Sequence, residues 1–447
     1  MTLLAVRVAL DPTPSQERAL RSHAGGARVA FNWGLARVKA NLSQRAAEKS
    51  YGITGEDLTP FVDWSFYGLR KAWNLAKINV APWWRENSKE AYASGLERLA
   101  RALKNWSASR GPKRKGAKVG FPRFRSKHQA RPSVRFTTGP IRAGGITAVL
   151  PVLGRMKLHE DVTDRLAGAR IRSATVRFER GRWFASFTVE QDVQRPRATK
   201  PGDVIGIDLG IKTLAVLSDG TEIPNPRHLG AALRKVRRAA RTVSRRQGPD
   251  RRTGQRPSNR WRRASARLGG LHGRVADVRK DSIHKLTTSI ARTYGVVVIE
   301  DLNVAGMTKN RRLARHVADA SFSEIRRQLA YKIEWHGGTL IVADRWFASS
   351  KTCSRCGAVR AKLTLSERMY VCDVCAMVMD RDVNAALNLA QYGRNELKVA
   401  ASGAETHNGR GADQRTGLAR QVAVKRQPGT RQRGQTGTLP PQGESAA

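Results

Sequence analysis

Apolar and polar residues alternate over 3–10 (LLAVRVAL), the period of a strand with one buried face. Pro12, Pro14 and Ser15 interrupt the pattern, and apolar residues then recur at helical spacing through Leu35 and Val38, which predicts a helix. A second helical stretch, roughly 61–106, carries Trp64, Phe66, Trp73, Trp83, Trp84 and Trp106. Most of these tryptophans are expected in helix–helix packing, with one or two left to stack on bases. Short alternating segments at 133–137, 147–158 and 171–190 predict a small all-β unit, the last of them a hairpin turning at Arg180-Gly181. Residues 191–202, with Pro196 and Pro201, read as a linker.

Beyond it the pattern changes to strands alternating with helices, an α/β arrangement. Strands are expected at 204–210 (VIGIDLG) and 213–223, with tight turns at Gly210 and Asp219-Gly220. A helix over 276–293 leads into strand 295–300 (GVVVIE), a helix opens at a Ser321–Glu324 capping box, and strand 338–343 follows. Residues from about 394 to 447 show no apolar periodicity and read as a disordered basic tail. The longest near-uninterrupted apolar run, GVVVI at 295–299, is far too short to span a bilayer, and the first residues lack a signal-peptide pattern. A cytoplasmic, nucleoid-associated prokaryotic protein without membrane contact is expected.

Charge narrows the function. The 447 residues hold 82 Lys and Arg against 36 Asp and Glu, a net charge of +46. Such an excess repels itself in the folded state unless a polyanion neutralises it, so nucleic acid is the expected partner. Between 107 and 128 a Gly-, Pro- and Lys/Arg-dense loop is expected to track a phosphate backbone through Arg123, Arg125 and Lys127, with Phe121 and Phe124 stacking. Between 227 and 280 acidic residues almost vanish, and Arg234, Arg237, Arg238, Arg241 and Arg245 read as part of a duplex-facing helix pair.

Four cysteines, Cys353, Cys356, Cys372 and Cys375, form two C-x-x-C pairs separated by fifteen residues. That is the spacing of a zinc ribbon, and four thiolates fill a tetrahedron, so the zinc is structural. Catalysis must then rest on other groups. Asp208 interrupts an apolar strand, Glu300 ends another, and Asp382 falls in the first turn of a helix that Asp380 can cap. Three carboxylates converging from distant segments suit two Mg²⁺ ions about 3.5–4 Å apart on a scissile phosphate.

The segments IGIDLGIKTLAVLSDG, VVVIEDLN and DRDVNAALN, with the cysteine pairs between the last two, resemble the split nuclease motifs and zinc ribbon of the OrfB/TnpB family of insertion-sequence proteins, relatives of type V CRISPR effectors. LDPTPSQERALRSHAGGARVAFNWGLA, FPRFRSK and LGRMKL extend the resemblance over about 1–393. The resemblance implies an α/β multidomain protein: an RNase H-like (RuvC-type) core with an inserted zinc ribbon, behind a split wedge β-barrel with an inserted helical recognition lobe. The implied boundaries are wedge 1–14, recognition lobe 15–120, wedge 121–198, nuclease 199–345, ribbon 346–379, nuclease helix 380–393 and tail 394–447. It also implies a guide RNA, a double-stranded DNA target, and Asp208, Glu300 and Asp382 as the Mg²⁺-binding catalytic acids of a DNA endonuclease. The alternatives are a nuclease-inactive RNA-guided DNA-binding regulator and a small type V CRISPR effector.

Overall fold

A computed structural model describes residues 2–111, 116–127, 130–192, 196–250, 252–364 and 367–401; the expected tail from 402 onward lies outside them. The chain forms two compact units that part between residues 194 and 195.

In the first unit, β1 (Thr2–Asp11) is followed by helices α1 (Pro14–Ser50), α2 (Phe66–Val80) and α3 (Lys89–Ala108). Then come β2 (Ser133–Phe136), β3 (Arg142–Gly144), β4 (Thr147–Leu150), β5 (Gly154–Leu158), the short α4 (Thr163–Leu166), β6 (Arg170–Glu179) and β7 (Arg182–Gln191). The strands make one seven-stranded antiparallel sheet in the order β2-β6-β7-β1-β5-β4-β3. The first strand is thus held in the middle of a sheet whose other members arrive more than 120 residues later. The β6–β7 turn is Arg180-Gly181, both with positive φ (50° and 85°), the type I′ geometry that matches the twist of a hairpin. Thr13 opens α1 with a capping box: its hydroxyl accepts from the Gln16 N–H and the Gln16 side chain accepts from the Thr13 N–H, with Pro14 at the first helical position.

The aromatic stretch is two helices, α2 and α3, since the segment around Pro82 breaks the run. Trp73 stacks on Tyr92 with centroids 5.2 Å apart and meets the edge of Trp33 at the same distance. Trp64, Trp106 and Phe121 form an edge-to-face chain. Phe121, expected to stack on bases, is half-buried and packs 4.9 Å from Trp106; Phe124 stays exposed.

The second unit contains β8 (Lys200–Asp208), β9 (Thr213–Leu217), β10 (Glu222–Pro224), α5 (His228–Ser244), α6 (Asn259–Thr293), β11 (Tyr294–Glu300), α7 (Val304–Met307), α8 (Ala314–Ala320), α9 (Phe322–Trp335), β12 (Thr339–Ala343), β13 (Met369–Val371), β14 (Val378–Asp380) and α10 (Arg381–Ala401). Its main sheet runs β10-β9-β8-β11-β12, antiparallel from β10 to β8 and parallel from β8 through β11 to β12. One face, with Ile205, Ile207, Val297 and Ile299, joins the core formed with α6 and α9 (Ile283, Ile290, Ile325, Leu329). Val298 on the other face packs with Leu389 of α10. The closing helix α10 runs to Ala401, past the expected boundary at 393.

The expected capping box at Ser321 is not formed. Helix α8 ends one residue earlier, so Ser321 is the left-handed joint (φ 58°) between two helices, and its hydroxyl donates back to the Ala318 carbonyl at 2.9 Å. Glu324 is taken by Arg327 and Gln328.

Candidate metal centres and basic surfaces

The parallel register Ile299↔Ile207 sets the last residue of β11, Glu300, beside the last residue of β8, Asp208. Helix α10 brings the third acid by lying almost in contact with the β8 backbone. A Cβ at Gly206 would sit 2.0 Å from the Ala386 carbonyl oxygen and 2.5 Å from the Ala390 nitrogen, so only glycine admits the helix here. Two residues along the strand advance about 6.6 Å, and four along a helix about 6 Å. Hence Gly206 lies under Ala386, and Asp208 lies level with Asp382.

Asp208 takes no hydrogen bond or ion pair from the described residues. Burial raises its pKa first, Glu300 and Asp382 add to the rise against the pull of Arg381, and the carboxyl reaches about 7 from an ordinary 3.8. The Ser349 hydroxyl donates to Glu300. Asp382 meets Arg381 at 3.3 Å and Arg368 at 3.8 Å. Asp380 Oδ1 accepts from the Asp382 and Val383 N–H groups at 2.8 and 3.2 Å and so caps α10. Asp301 leaves the group altogether: burial would raise its pKa, but hydrogen bonds from Arg326 and Arg345 prevail and lower it. The three facing acids, one of them unpaired and destabilised by the other two, suit a divalent cation as the missing positive charge.

Because Asp208 holds its proton more tightly when folded than when unfolded, its contribution to stability declines from about pH 4 up to about pH 7 and is lowest above that. Metal-free Asp208→Asn is therefore expected to be more stable than wild type at pH 8, by on the order of 1–3 kcal/mol, with the gap closing near pH 4. Calorimetry at the two pH values checks this; equal melting at pH 8 contradicts it.

The four cysteine sulfurs all lie within 4.8 Å of one another. The pairs Cys353–Cys375 and Cys356–Cys372 are 3.6 Å apart, too long for disulfides and close to the edge of a tetrahedron of sulfurs about 2.3 Å from a shared ion. N–H groups of Cys375 and Val374 turn toward the Cys372 sulfur and pull its pKa down to about 6, favouring the thiolate. Gly357 and Ala376, each one residue past a C-x-x-C pair, are both left-handed (φ 78° and 56°). Among its described residues this small unit buries one large side chain, Tyr370, the middle residue of β13. Among the described residues the cysteines are the one group of ligand atoms drawn this close; the carboxylates are arranged more openly.

The basic residues separate into two surfaces. In the first unit Arg123 and Lys127 are exposed, but Arg125 is packed, its guanidinium 3.8 Å over the Phe31 ring and its backbone paired with the Asn32 amide. Arg125 and Lys127 join Arg21, Arg28, Arg98 and Arg131 around a cleft of about 290 Å³. Burial, then the charges of Arg125 and Arg101, lower the Arg98 pKa to about 10. In the second unit α5 and α6 form a hairpin. Val236 and Ala239 are buried while Arg234, Arg237, Arg238, Arg241 and Arg245 are exposed. Arg234, Lys235, Arg238 and Arg267 line a groove of about 330 Å³ between the two helices. The reading of single loops and helices missed Arg21, Arg28, Arg98 and Arg131, which only the tertiary fold gathers. It also missed Gly206, Ser349, Asn384 and Asn388. The i, i+4 asparagines in VNAALN were the one visible signal, polar residues on an otherwise apolar helix face.

Among the described residues no helix is long and apolar enough to cross a membrane. Three family models match the chain: OrfB_IS605, described as a probable transposase, over residues 186–311; the Cas12f1-like TNB domain over 322–389; and a helix-turn-helix domain of OrfB_IS605 over 1–46. The last stretch is a strand and the greater part of one continuous helix in this structure. A solved Cas12f1–sgRNA–target DNA complex is similar over 87% of this chain and 98% of that one, at 14% identity and a TM-score of 0.45. InsQ of Escherichia coli K12 is 28% identical, covering 91% of this chain and 96% of its own length. "Putative RNA-guided DNA endonuclease Rv2885c" of Mycobacterium tuberculosis H37Rv is 39% identical over 441 residues, which cover 92% of this chain and 91% of that protein. With likeness of that extent along nearly its whole length, the chain belongs to the OrfB/TnpB-like family of insertion-sequence proteins.

Proposed function

We propose that this chain is an RNA-guided, Mg²⁺-dependent DNA endonuclease of a mobile element, with Asp208, Glu300 and Asp382 as its catalytic acids and Cys353, Cys356, Cys372 and Cys375 holding a structural zinc. The convergence of the three acids at the ends of β8 and β11 and the start of α10 carries this reading. The mixed five-stranded sheet is read as an RNase H-like (RuvC-type) core. The seven-stranded sheet is read as the wedge, and α1–α3 as the recognition lobe inserted into it.

Divalent cations bound by the acids would supply an activated water and stabilise the leaving 3′ oxygen. The chain's own part is to hold three carboxylates at the rim of the sheet in an environment where each feels the others' charge. Trp346, 86% exposed and three residues before Ser349, offers a stacking face for a base. Sequence choice is delegated to base pairing, which suits basic surfaces that seek phosphate.

The test is to purify the protein expressed with its flanking DNA, sequence the RNA that stays bound, and offer a plasmid matched to that RNA. A discrete RNA and linearised plasmid in Mg²⁺ are expected. Heterogeneous RNA removed by moderate salt counts against a dedicated guide, and guided binding without cutting in any divalent metal favours the regulator. If the α5–α6 groove contacts duplex phosphates, Arg234→Ala with Arg238→Ala should lower the slope of log K against log salt by about 2. An unchanged slope in filter binding would place the duplex elsewhere.

A further inference from the structure

The helix that brings Asp382 to the sheet also carries Asn384 and Asn388, 0% and 6% exposed. The Asn384 amide spans the first cysteine: its Nδ2 donates to the Thr352 carbonyl at 2.7 Å and its Oδ1 accepts from the Ser354 N–H at 2.9 Å. One turn later, Asn388 Nδ2 donates to the Thr352 and Ser349 carbonyls at 2.6 and 2.8 Å. Residues 349–354 are thus stapled along α10 at both ends. The staple is continuous with both centres, because Cys353 lies inside it and the Ser349 hydroxyl, on a residue 3% exposed, donates to Glu300.

We infer that residues 349–354 are a strap through which the cysteine-bound metal positions Glu300, with Asn384, Asn388 and Ser349 as positioning residues. This rests on the proposed nuclease reading for Glu300 and on zinc for the cysteines. The physical basis is that a metal ligand's orientation is set by the group bonded to its far side, and losing such a partner typically lowers metal affinity or activity 10- to 100-fold. Among the described residues the only side-chain donor to Glu300 is Ser349, whose carbonyl is held by Asn388 of α10 four residues ahead of Cys353. Loosening the knuckle frees one end of the strap and lets the carboxylate drift from Asp208.

Two measurements test the strap on the zinc-loaded, RNA-bound protein. Ser349→Ala deletes only the hydroxyl. It is expected to slow cleavage about 10- to 100-fold and to raise the Mg²⁺ concentration for half-maximal rate, with zinc content and guided DNA binding unchanged. Ser349→Thr, which keeps the hydroxyl, should recover most of the rate. Asn384→Ala is expected to speed zinc transfer to a chromogenic chelator at least fivefold, a readout that needs no cleavage. Asn384→Asp, isosteric and still able to accept from Ser354, should do the same through the lost bond to Thr352. A wild-type rate and Mg²⁺ requirement in Ser349→Ala, or wild-type zinc release in both Asn384 variants, overturns the inference. Failure of the wild type to cut would sink the nuclease reading instead, and leaves the zinc-release comparison to decide on the strap.

Discussion

Asp382→Ala is expected to reduce cleavage of a guide-matched plasmid by at least about 1,000-fold, while Asp380→Asn, two residues away, keeps a readily measured rate. The two carboxylates stand at the same helix end but do different work. Asp380 Oδ1 accepts the Asp382 and Val383 N–H groups at 2.8 and 3.2 Å, and asparagine offers an equivalent oxygen. What Asn lacks is the negative charge near the helix N-terminus, about 0.3–1 kcal/mol. Asp382 makes no such cap; it faces Asp208 and contributes to that group's raised pKa. Removing it takes a ligand from the cation site and leaves the basic surfaces untouched, so guided binding in a parallel gel shift should be unchanged. A dead Asp380→Asn beside an active Asp382→Ala would show that the assignment is out by two residues.

Cys372→Ser should empty the cysteine site and carry cleavage down with it. Cys372 is 3% exposed, and its sulfur receives two knuckle N–H groups and faces that of Cys356 at 3.6 Å. A serine hydroxyl at neutral pH neither ionises nor reaches as far. The hairpin β13–β14 has three residues a side and little apolar support beyond Tyr370, so its folding free energy is mostly that of metal binding. Because β14 ends in Asp380, the disorder passes directly into the cap of α10. Metal analysis should fall from one zinc per chain to near none, with cleavage lower by on the order of 100-fold. A variant that keeps stoichiometric zinc and cuts normally would refute the assignment.

Local patterns showed themselves plainly in the chain. Alternation found the strands, two alternating runs on either side of Arg180-Gly181 found the hairpin, and the cysteine spacing found a cluster that does close. These are features in which a few neighbouring residues decide the outcome. Features settled by distant contacts did not show. Ser321 satisfies the capping pattern yet is a left-handed joint because α8 ends beside it. Phe121 and Arg125 sit in a basic loop, and nothing in that loop discloses that they also pack on Trp106 and Phe31. The gathering of Arg98 with Arg21, Arg28 and Arg131 requires α1, α3 and a later loop to meet. Gly206 looked like any strand glycine until a helix from 180 residues later came to rest on it.

The docking of α10 on Gly206 has a consequence for how the protein is made. Synthesis proceeds from the N-terminus and domains fold as they emerge, so Asp208 and Glu300 are in place well before the ribosome reaches Asp382. Any nascent chain or prematurely terminated product ending ahead of residue 381 can already carry both basic surfaces, yet has only two of the three acids. Such fragments would hold nucleic acid without severing it. On the proposed reading, placing the third acid on α10 restricts cutting to chains that extend through that helix.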